Sequence, residues 1–151
     1  MVQSKRIRSK IPNSPQFTHC LVLAGREAQQ RSISSIEPLL LLHALLRQSN
    51  NGLDALLPIG QSARELLIEV SNEIERSLAP TSYSPSNACE LTPASRVVFN
   101  MAKAEAASLA ANSVMLDHLL LALFNDDSCA SLLHSTGLFE ADVRSKIQLG
   151  Q

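Results

Sequence analysis

The segment LTPASRVVFNMAKAEAASLAANSVMLDHLLLAL occupies residues 91–123 and repeats the plan of residues 13–45 at a constant offset of 78, without a gap. Identity between the two copies is sparse, but small residues, apolar residues and helix-start residues coincide. The clearest matches are Ser14-Pro15 with Thr92-Pro93, Glu27-Ala28 with Glu105-Ala106, and Ala44-Leu45 with Ala122-Leu123. Such spacing is typical of a duplicated supersecondary unit, so the sequence predicts a tandem repeat.

Composition indicates which elements build the repeats. Of 151 residues, 45% are hydrophobic, which is enough for a core, but only 3% are aromatic. The core must therefore be built from Leu, Ile, Val and Ala, and this favours helices. We predict an all-α chain of about eight helices, arranged as two pseudo-symmetric four-helix repeats in one compact domain.

The first copy begins with Ser14 and Pro15, a helix cap followed by a proline at the first helical position, and this helix runs to about Gln30. Ser35 is expected to cap a second helix. That helix should be central, because residues 39–46 are apolar nearly all round. The remaining helices of this copy are predicted over residues 53–57 and 62–78.

The second copy follows the same order. Thr92-Pro93 starts its long helix, Ser113 is expected to cap the next, and Asp127 or Ser128 is expected to cap a short helix that ends before Gly137. A last helix is predicted from Glu140 to about Leu149. The resulting boundaries are 1–12 for a basic disordered tail, 13–78 for the first repeat, 79–90 for a linker and 91–149 for the second repeat.

The charge is unevenly distributed along the chain. Four basic residues and no acidic ones lie in the first ten positions, whereas the remaining residues carry 9 basic and 14 acidic side chains. An acidic body is a poor match to a phosphate backbone, so we expect no nucleic-acid partner for it. The basic tail is either a solvated, disordered end or a small nucleic-acid or membrane patch. Its basic residues are Lys5, Arg6, Arg8 and Lys10.

Cysteine use and hydropathy indicate the compartment. Cys20, Cys89 and Cys129 are odd in number and lack a C-x-x-C spacing, so the sequence predicts reduced thiols rather than disulfides or a zinc site. The N-terminus lacks the apolar core of a signal peptide, and no apolar run approaches the length that crosses a bilayer. We expect a soluble, cytoplasmic and monomeric domain without a membrane partner.

Catalytic motifs are missing from the sequence. The chain holds no G-x-x-x-x-G-K-[ST] loop and no H-E-x-x-H pair, so it cannot itself be an ATPase of that class or a zinc peptidase of that type. His19 and Cys20 are neighbours on a helix and point apart, which is wrong for a nucleophile and its base. We therefore expect no enzyme activity, no cofactor and no metal.

The second copy resembles a known repeat. A Thr-Pro helix start, a long Ala-rich helix with Ala-x-x-Glu-Ala, a loop and Asp-His-Leu-Leu-Leu-Ala-Leu are similar to the repeat of the Clp amino-terminal domain. That domain belongs to the AAA+ protein unfoldases ClpA, ClpB and ClpC. The resemblance covers about residues 13–149, and the breaks at Gly60 and Gly137 also match the family pattern.

The resemblance implies a module that binds substrate proteins, degrons or adaptor proteins and passes them to a Clp ATPase ring in the same chain or in trans. The alternative is a stand-alone accessory or regulatory subunit that docks on a Clp ATPase or protease without binding substrate. An exposed apolar groove between the repeats would favour the binding module, and a polar surface there would favour the accessory subunit.

The resemblance also implies candidate site residues. Some ClpC-type members bind phosphorylated arginine at two equivalent sites, each with a hydroxyl at the helix start and an acid 25 residues later in the sequence. Here these positions are Thr92 with Asp117, and Ser14 with Leu39, which cannot pair with a guanidinium.

Each candidate also has a purely structural interpretation. Thr92 and Ser14 are helix caps, and Asp117 complements a helix dipole. Arg96 matches a position that lines a contact surface in some members, but an exposed arginine is usually only solvated. His118 is either functional or a residue that packs and hydrogen-bonds at the start of its helix.

Overall fold

The computed structural model describes residues 11–48, 63–78 and 90–149. Its helices confirm the all-α prediction, and the described ranges hold seven of them. The helix predicted over residues 53–57, the basic residues of the tail and most of the linker lie outside these ranges. The helices are α1 (Pro15–Gln30), α2 (Pro38–Gln48), α3 (Ala63–Ser77), α4 (Pro93–Ser108), α5 (Leu116–Leu123), α6 (Asp127–Ser135) and α7 (Glu140–Leu149).

Local signals place the two long helices as the sequence predicts. Helix α1 begins at Pro15 after the cap Ser14, and α4 begins at Pro93 after the cap Thr92. Each helix is 16 residues long, so their ends also differ by 78 positions. The repeat is therefore present in the backbone as well as in the sequence.

Helices α2 and α5 form the centre of the core. Residues 39–46 of α2 and residues 118–123 of α5 are buried on every side, as the continuous apolar runs predict. Helix α1 packs on α2, α4 packs on α5, and the two central helices contact each other. Helix α3 covers α2, burying Leu66, Val70 and Ile74.

Three of the predicted caps are wrong. Ser35 does not cap α2 but lies in a two-residue strand, β1 (Ser35–Ile36), which runs parallel to β2 (Glu90–Leu91). The equivalent Ser113 does not cap α5, whose N-cap is Met115, and Asp126 rather than Asp127 or Ser128 caps α6. For Ser35 the physical reason is that backbone pairing with a distant segment takes precedence over the local preference of a serine for a cap. Glu90, the last residue of the predicted linker, lies in β2.

Two short parallel pairings join the repeats. Ile36 pairs with Leu91 in the β1–β2 sheet, and Asn13 forms a parallel bridge with Val114. These pairings are equivalent, because adding 78 to the numbers of Asn13 and Ile36 gives those of Leu91 and Val114. The segment before the long helix of each repeat thus pairs with the segment before the central helix of the other. We call this pair of contacts the seam.

Candidate functional site

Thr92 is held at the seam by three hydrogen bonds. Its Oγ1 accepts the backbone N–H of Ser95 at 3.1 Å, which makes it the cap of α4. Its own N–H and hydroxyl donate to the carbonyl oxygen of Ile36 at 3.1 Å and 3.3 Å. The hydroxyl of the fully buried Ser95 donates to the same oxygen at 2.7 Å. Thr92 is therefore a cap that also ties α4 to the first repeat.

Ser14 holds the equivalent position in the first repeat. Its Oγ accepts the N–H of Phe17 at 3.1 Å, and its own N–H donates to the carbonyl of Val114 at 2.9 Å. The side chain is buried, at 3% exposure. Phe17 occupies the position equivalent to Ser95, so the first repeat has an aromatic ring where the second repeat has the Ser95 hydroxyl. The Ser14 hydroxyl faces the protein rather than a ligand.

Asp117 is the exposed member of the predicted set. It lies in the first turn of α5, where the helix dipole favours an anion, and it forms no hydrogen bond or ion pair with any other described residue. Its counterpart Leu39 is buried in the core at 3% exposure. The carboxylate is therefore available to a cation at only one of the two equivalent positions.

The seam connects each helix start to the opposite repeat, and it therefore does not connect the members of the predicted pairs, Thr92 with Asp117 and Ser14 with Leu39. The segment that precedes α5 bonds to Ser14 through Val114, whereas Thr92 bonds to Ile36, three residues before Leu39. No hydrogen bond joins Thr92 to Asp117 within the described residues. Backbone hydrogen bonds thus tie the start of α5, the helix that carries Asp117, to the start of α1.

His118 fixes the start of α5. Its Nδ1 accepts the backbone N–H of Met115 at 2.9 Å, and the residue is 3% exposed. Burial lowers the pKa of this imidazole, and the nearby Asp117 and Glu105 carboxylates oppose that shift only in part. A neutral ring suits an acceptor at Nδ1. His118 thus packs in the core and forms a hydrogen bond at the start of α5.

Arg96 is solvated on α4. Its side chain is 64% exposed and approaches Glu90, itself 86% exposed, at 3.7 Å. An ion pair between two such exposed groups contributes little to stability. Arg96 is therefore free to exchange Glu90 for another anion.

Two exposed apolar residues near the seam were missed by the sequence reasoning. Met115 is 41% exposed and lies two residues before Asp117, and Val97 is 56% exposed and follows Arg96. The sequence did contain a signal for Val97, because it falls outside the buried stripe of α4 formed by Val98, Ala102 and Ala106. Asp117 at the start of α5 and Arg96 in the first turn of α4 thus each have an exposed apolar residue close by in the sequence.

The two described thiols are buried, and both are free. Burial raises the pKa of Cys20 to about 12, and its Sγ lies 3.9 Å from the carbonyl oxygen of Leu41. Burial also raises the pKa of Cys129, with the Asp126 carboxylate adding to the effect. Both thiols are therefore protonated and poorly nucleophilic. In the described part of the chain, no three His, Cys, Asp or Glu side chains come close enough to share a metal ion.

No helix in the described ranges combines the length and the apolar character that spanning a bilayer requires.

Comparison with known proteins gives one family and several similar folds. Residues 13–136 match the family model of the Clp repeat (R) N-terminal domain. No curated protein matches the sequence. A structure from preliminary investigations of a malarial protein secretion system is similar, with a TM-score of 0.81 and 17% identity over 91% of this chain and 93% of that chain.

Two further structures have the same fold. The Hsp104 N-terminal domain from Candida albicans gives a TM-score of 0.75 at 18% identity, covering 89% of this chain and 87% of that one. The N-terminal domain of the caseinolytic protease associated chaperone ClpD from Arabidopsis thaliana gives 0.69 at 13% identity, covering 90% and 94%. At such low identities the similarity concerns the fold alone.

Proposed function

Because the chain belongs to the Clp repeat N-terminal domain family, we propose that it is a non-catalytic protein-binding module of a Clp-type chaperone or protease system. It recognises substrate proteins, degrons or adaptors for an AAA+ unfoldase that lies in the same chain or acts in trans. The observation that carries the proposal is the unpartnered, exposed Asp117 carboxylate beside the exposed Met115 at the start of α5. The proposed location is the cytoplasm.

The proposed mechanism is capture on a rigid surface. The seam ties the segment that precedes α5 to the start of α1, so the start of α5, with Asp117 and Met115, keeps its shape without a ligand. Preorganisation reduces the entropy lost on binding. A face with one free carboxylate and a few apolar side chains supports a dissociation constant of about a micromolar or weaker for a single module. Avidity in a ring of several copies would supply the remaining affinity.

A second function is favoured by one observation. Leu39 replaces the acid in the first repeat and is buried, so the twofold ligand arrangement implied by the family resemblance is reduced to a single carboxylate. This favours an accessory subunit that docks on a Clp ATPase or protease without binding substrate.

The test compares Asp117→Ala with Asp127→Ala in the intact chain. Asp127 is an exposed acid in the first turn of α6, so the control removes the same charge from a similar helix position. We expect Asp117→Ala to weaken binding of fluorescent unfolded casein about five- to tenfold, the effect of one partly exposed charged contact, and Asp127→Ala to leave it unchanged.

Pull-downs from native lysate separate the two functions. Client proteins that are recovered with the parent and lost with Asp117→Ala support substrate recognition. Recovery of a Clp ATPase or peptidase from both proteins, without casein binding by either, supports the accessory subunit. Equal casein binding by the parent and both variants would remove Asp117 from the site.

A further inference from the structure

A buried glutamate holds two arginines at the end of the first repeat's long helix. The Glu27 carboxylate, 9% exposed as a residue, accepts Nε of Arg31 at 2.6 Å on one oxygen and Nη1 of Arg47 at 3.1 Å on the other. Arg31 follows α1, and Arg47 lies in the last turn of α2. The glutamate thus orients two cationic groups from different parts of the repeat.

Most donors of these arginines are unused. Each guanidinium gives one N–H to Glu27 and makes no other hydrogen bond with a described residue, so its remaining N–H groups are available. The side chains are 22% and 44% exposed. Two positive charges face one buried negative charge, which leaves capacity for a second anion.

An apolar groove lies beside Arg31. It runs between the end of α1 and the C-terminal part of α3, and its apolar wall is formed by the buried Ile33 and Ile74 and the half-buried Leu78. The exposed Glu75 stands at its edge. The groove thus combines a guanidinium with remaining donors and an apolar surface that fits an aliphatic side chain.

The second repeat does not reproduce this arrangement. The equivalent Glu105 accepts both Nη groups of Arg144 at 2.8 Å, and Arg144 also bonds to Glu140 at 2.8 Å. One arginine there faces two carboxylates, and both of its terminal nitrogens are engaged. The unused donors therefore belong to the first repeat rather than to the shared fold.

We propose that this groove binds the C-terminal end of a polypeptide with an apolar last residue. Arg31, supported by Arg47, receives the terminal carboxylate, and Ile33, Ile74 and Leu78 receive the aliphatic side chain. The charge balance favours this ligand, because Glu75 at the edge disfavours a dianion such as phosphate more than a single carboxylate. The apolar wall likewise favours a peptide over a free anion.

The site is separate from the Asp117 face, so the inference does not depend on the proposed function. It lies at the C-terminal end of α1, whereas Asp117 is tied by the seam to the start of that helix. Peptide binding here should therefore be unaffected by Asp117→Ala.

The first arm of the test changes only the ligand. Fluorescein-labelled decapeptides ending in Ala-Leu-Leu, with either a free carboxylate or a terminal amide, are titrated into the intact chain and followed by fluorescence anisotropy. We expect the amide to bind about tenfold more weakly, the effect of one charge-assisted contact. A peptide ending in Ala-Ser-Ser should lose a similar factor through the lost aliphatic contact.

The second arm changes the site. Arg31→Gln should weaken binding of the free-acid peptide about tenfold, whereas Glu75→Gln should strengthen it about twofold. Arg26→Gln is the matched control, because Arg26 is an exposed arginine of α1, five residues before Arg31, and lies outside the groove. Helicity by circular dichroism checks each variant. If Arg31→Gln fails to fold, the comparison of the free-acid and amide peptides still shows whether the protein recognises the terminal carboxylate.

Three outcomes would overturn the proposal. Equal affinity for the acid and the amide would exclude recognition of the carboxylate. Displacement of the peptide by inorganic phosphate at concentrations similar to those of unlabelled free-acid peptide would indicate a general anion site. Absence of measurable binding by all three peptides would show that the groove does not receive a C-terminus.

Discussion

Ser32 and Ala110 end the long helices of the two repeats in a left-handed conformation, with φ of 57° and 58°. They are equivalent positions, and the next residues close both helices in the same way. The N–H of Ile33 donates to Ala28 at 2.8 Å, and that of Ala111 donates to Ala106 at 2.9 Å. Glycine is the usual residue here, as at Gly137 after α6 with φ 87°. A side chain at such a position costs about 1 kcal/mol.

Replacing Ala110 with glycine is expected to stabilise the protein. Relief of the left-handed strain exceeds the greater freedom that glycine gives the unfolded chain, so the free energy of unfolding should rise by about 0.5 kcal/mol. Urea denaturation followed by circular dichroism measures it. As control, Ala104→Gly in the exposed middle of α4 should destabilise by about 1 kcal/mol. A loss of stability in both variants would contradict the strain at Ala110.

At the element scale, the two central helices α2 and α5 differ in polarity at one buried position. His43 of α2 occupies the place of Leu121 in α5 and is 5% exposed. Its Nδ1 finds no hydrogen-bond partner among the described residues. Burial lowers the pKa of His43 from its ordinary 6.5, although the Glu27 carboxylate pulls in the opposite direction. The buried run of residues 39–46 thus carries a neutral imidazole among apolar side chains.

His43→Leu should therefore stabilise the domain in a pH-dependent way. Below pH 6.5 the unfolded chain takes up a proton that folded His43 resists, so the parent loses stability as the pH falls towards the folded-state pKa. Leucine removes this loss at low pH. It also removes the unpaired Nδ1, which should raise the free energy of unfolding by about 1 kcal/mol even where the histidine is neutral in both states. Urea melts at about pH 7.5 and about pH 5 should show a larger gain at the lower pH. An equal gain at both values would contradict a buried neutral histidine.

At the scale of the whole molecule, the seam makes the repeats interdependent. Each repeat supplies short segments that pair with the other, and the central helices contact each other across the same boundary. Separating them would expose buried faces of α2 and α5 and leave the backbone groups at Ile36 and Val114 unpaired.

We accordingly expect neither half to fold alone. Fragments 1–89 and 90–151 should each show low helicity by circular dichroism and no cooperative melt. An equimolar mixture should recover helicity and a melting transition whose midpoint rises with concentration. A cooperative melt of either isolated fragment would contradict this dependence. The intact chain should unfold in a single transition.

Local patterns alone determined the positions of the described helices, whereas the candidate site residues came from the family resemblance. Ser14 and Thr92 act as caps, and the apolar runs of α2 and α5 are central, because capping and amphipathicity depend on residues three or four positions apart. The same signals placed Asp117 in a first turn and suggested the hydrogen-bonding role of His118.

The tertiary structure alone decided how the repeats join and where charges meet. Ser35 and Ser113 resemble caps in sequence, yet Ser35 lies in a strand that pairs with Glu90, and Ser113 precedes a helix capped by Met115. Arg47 reaches Glu27 from 20 positions away, and Arg144 reaches Glu105 from 39. Such contacts leave no periodic signal in the chain, because they form only when helices that are each specified locally pack into one core.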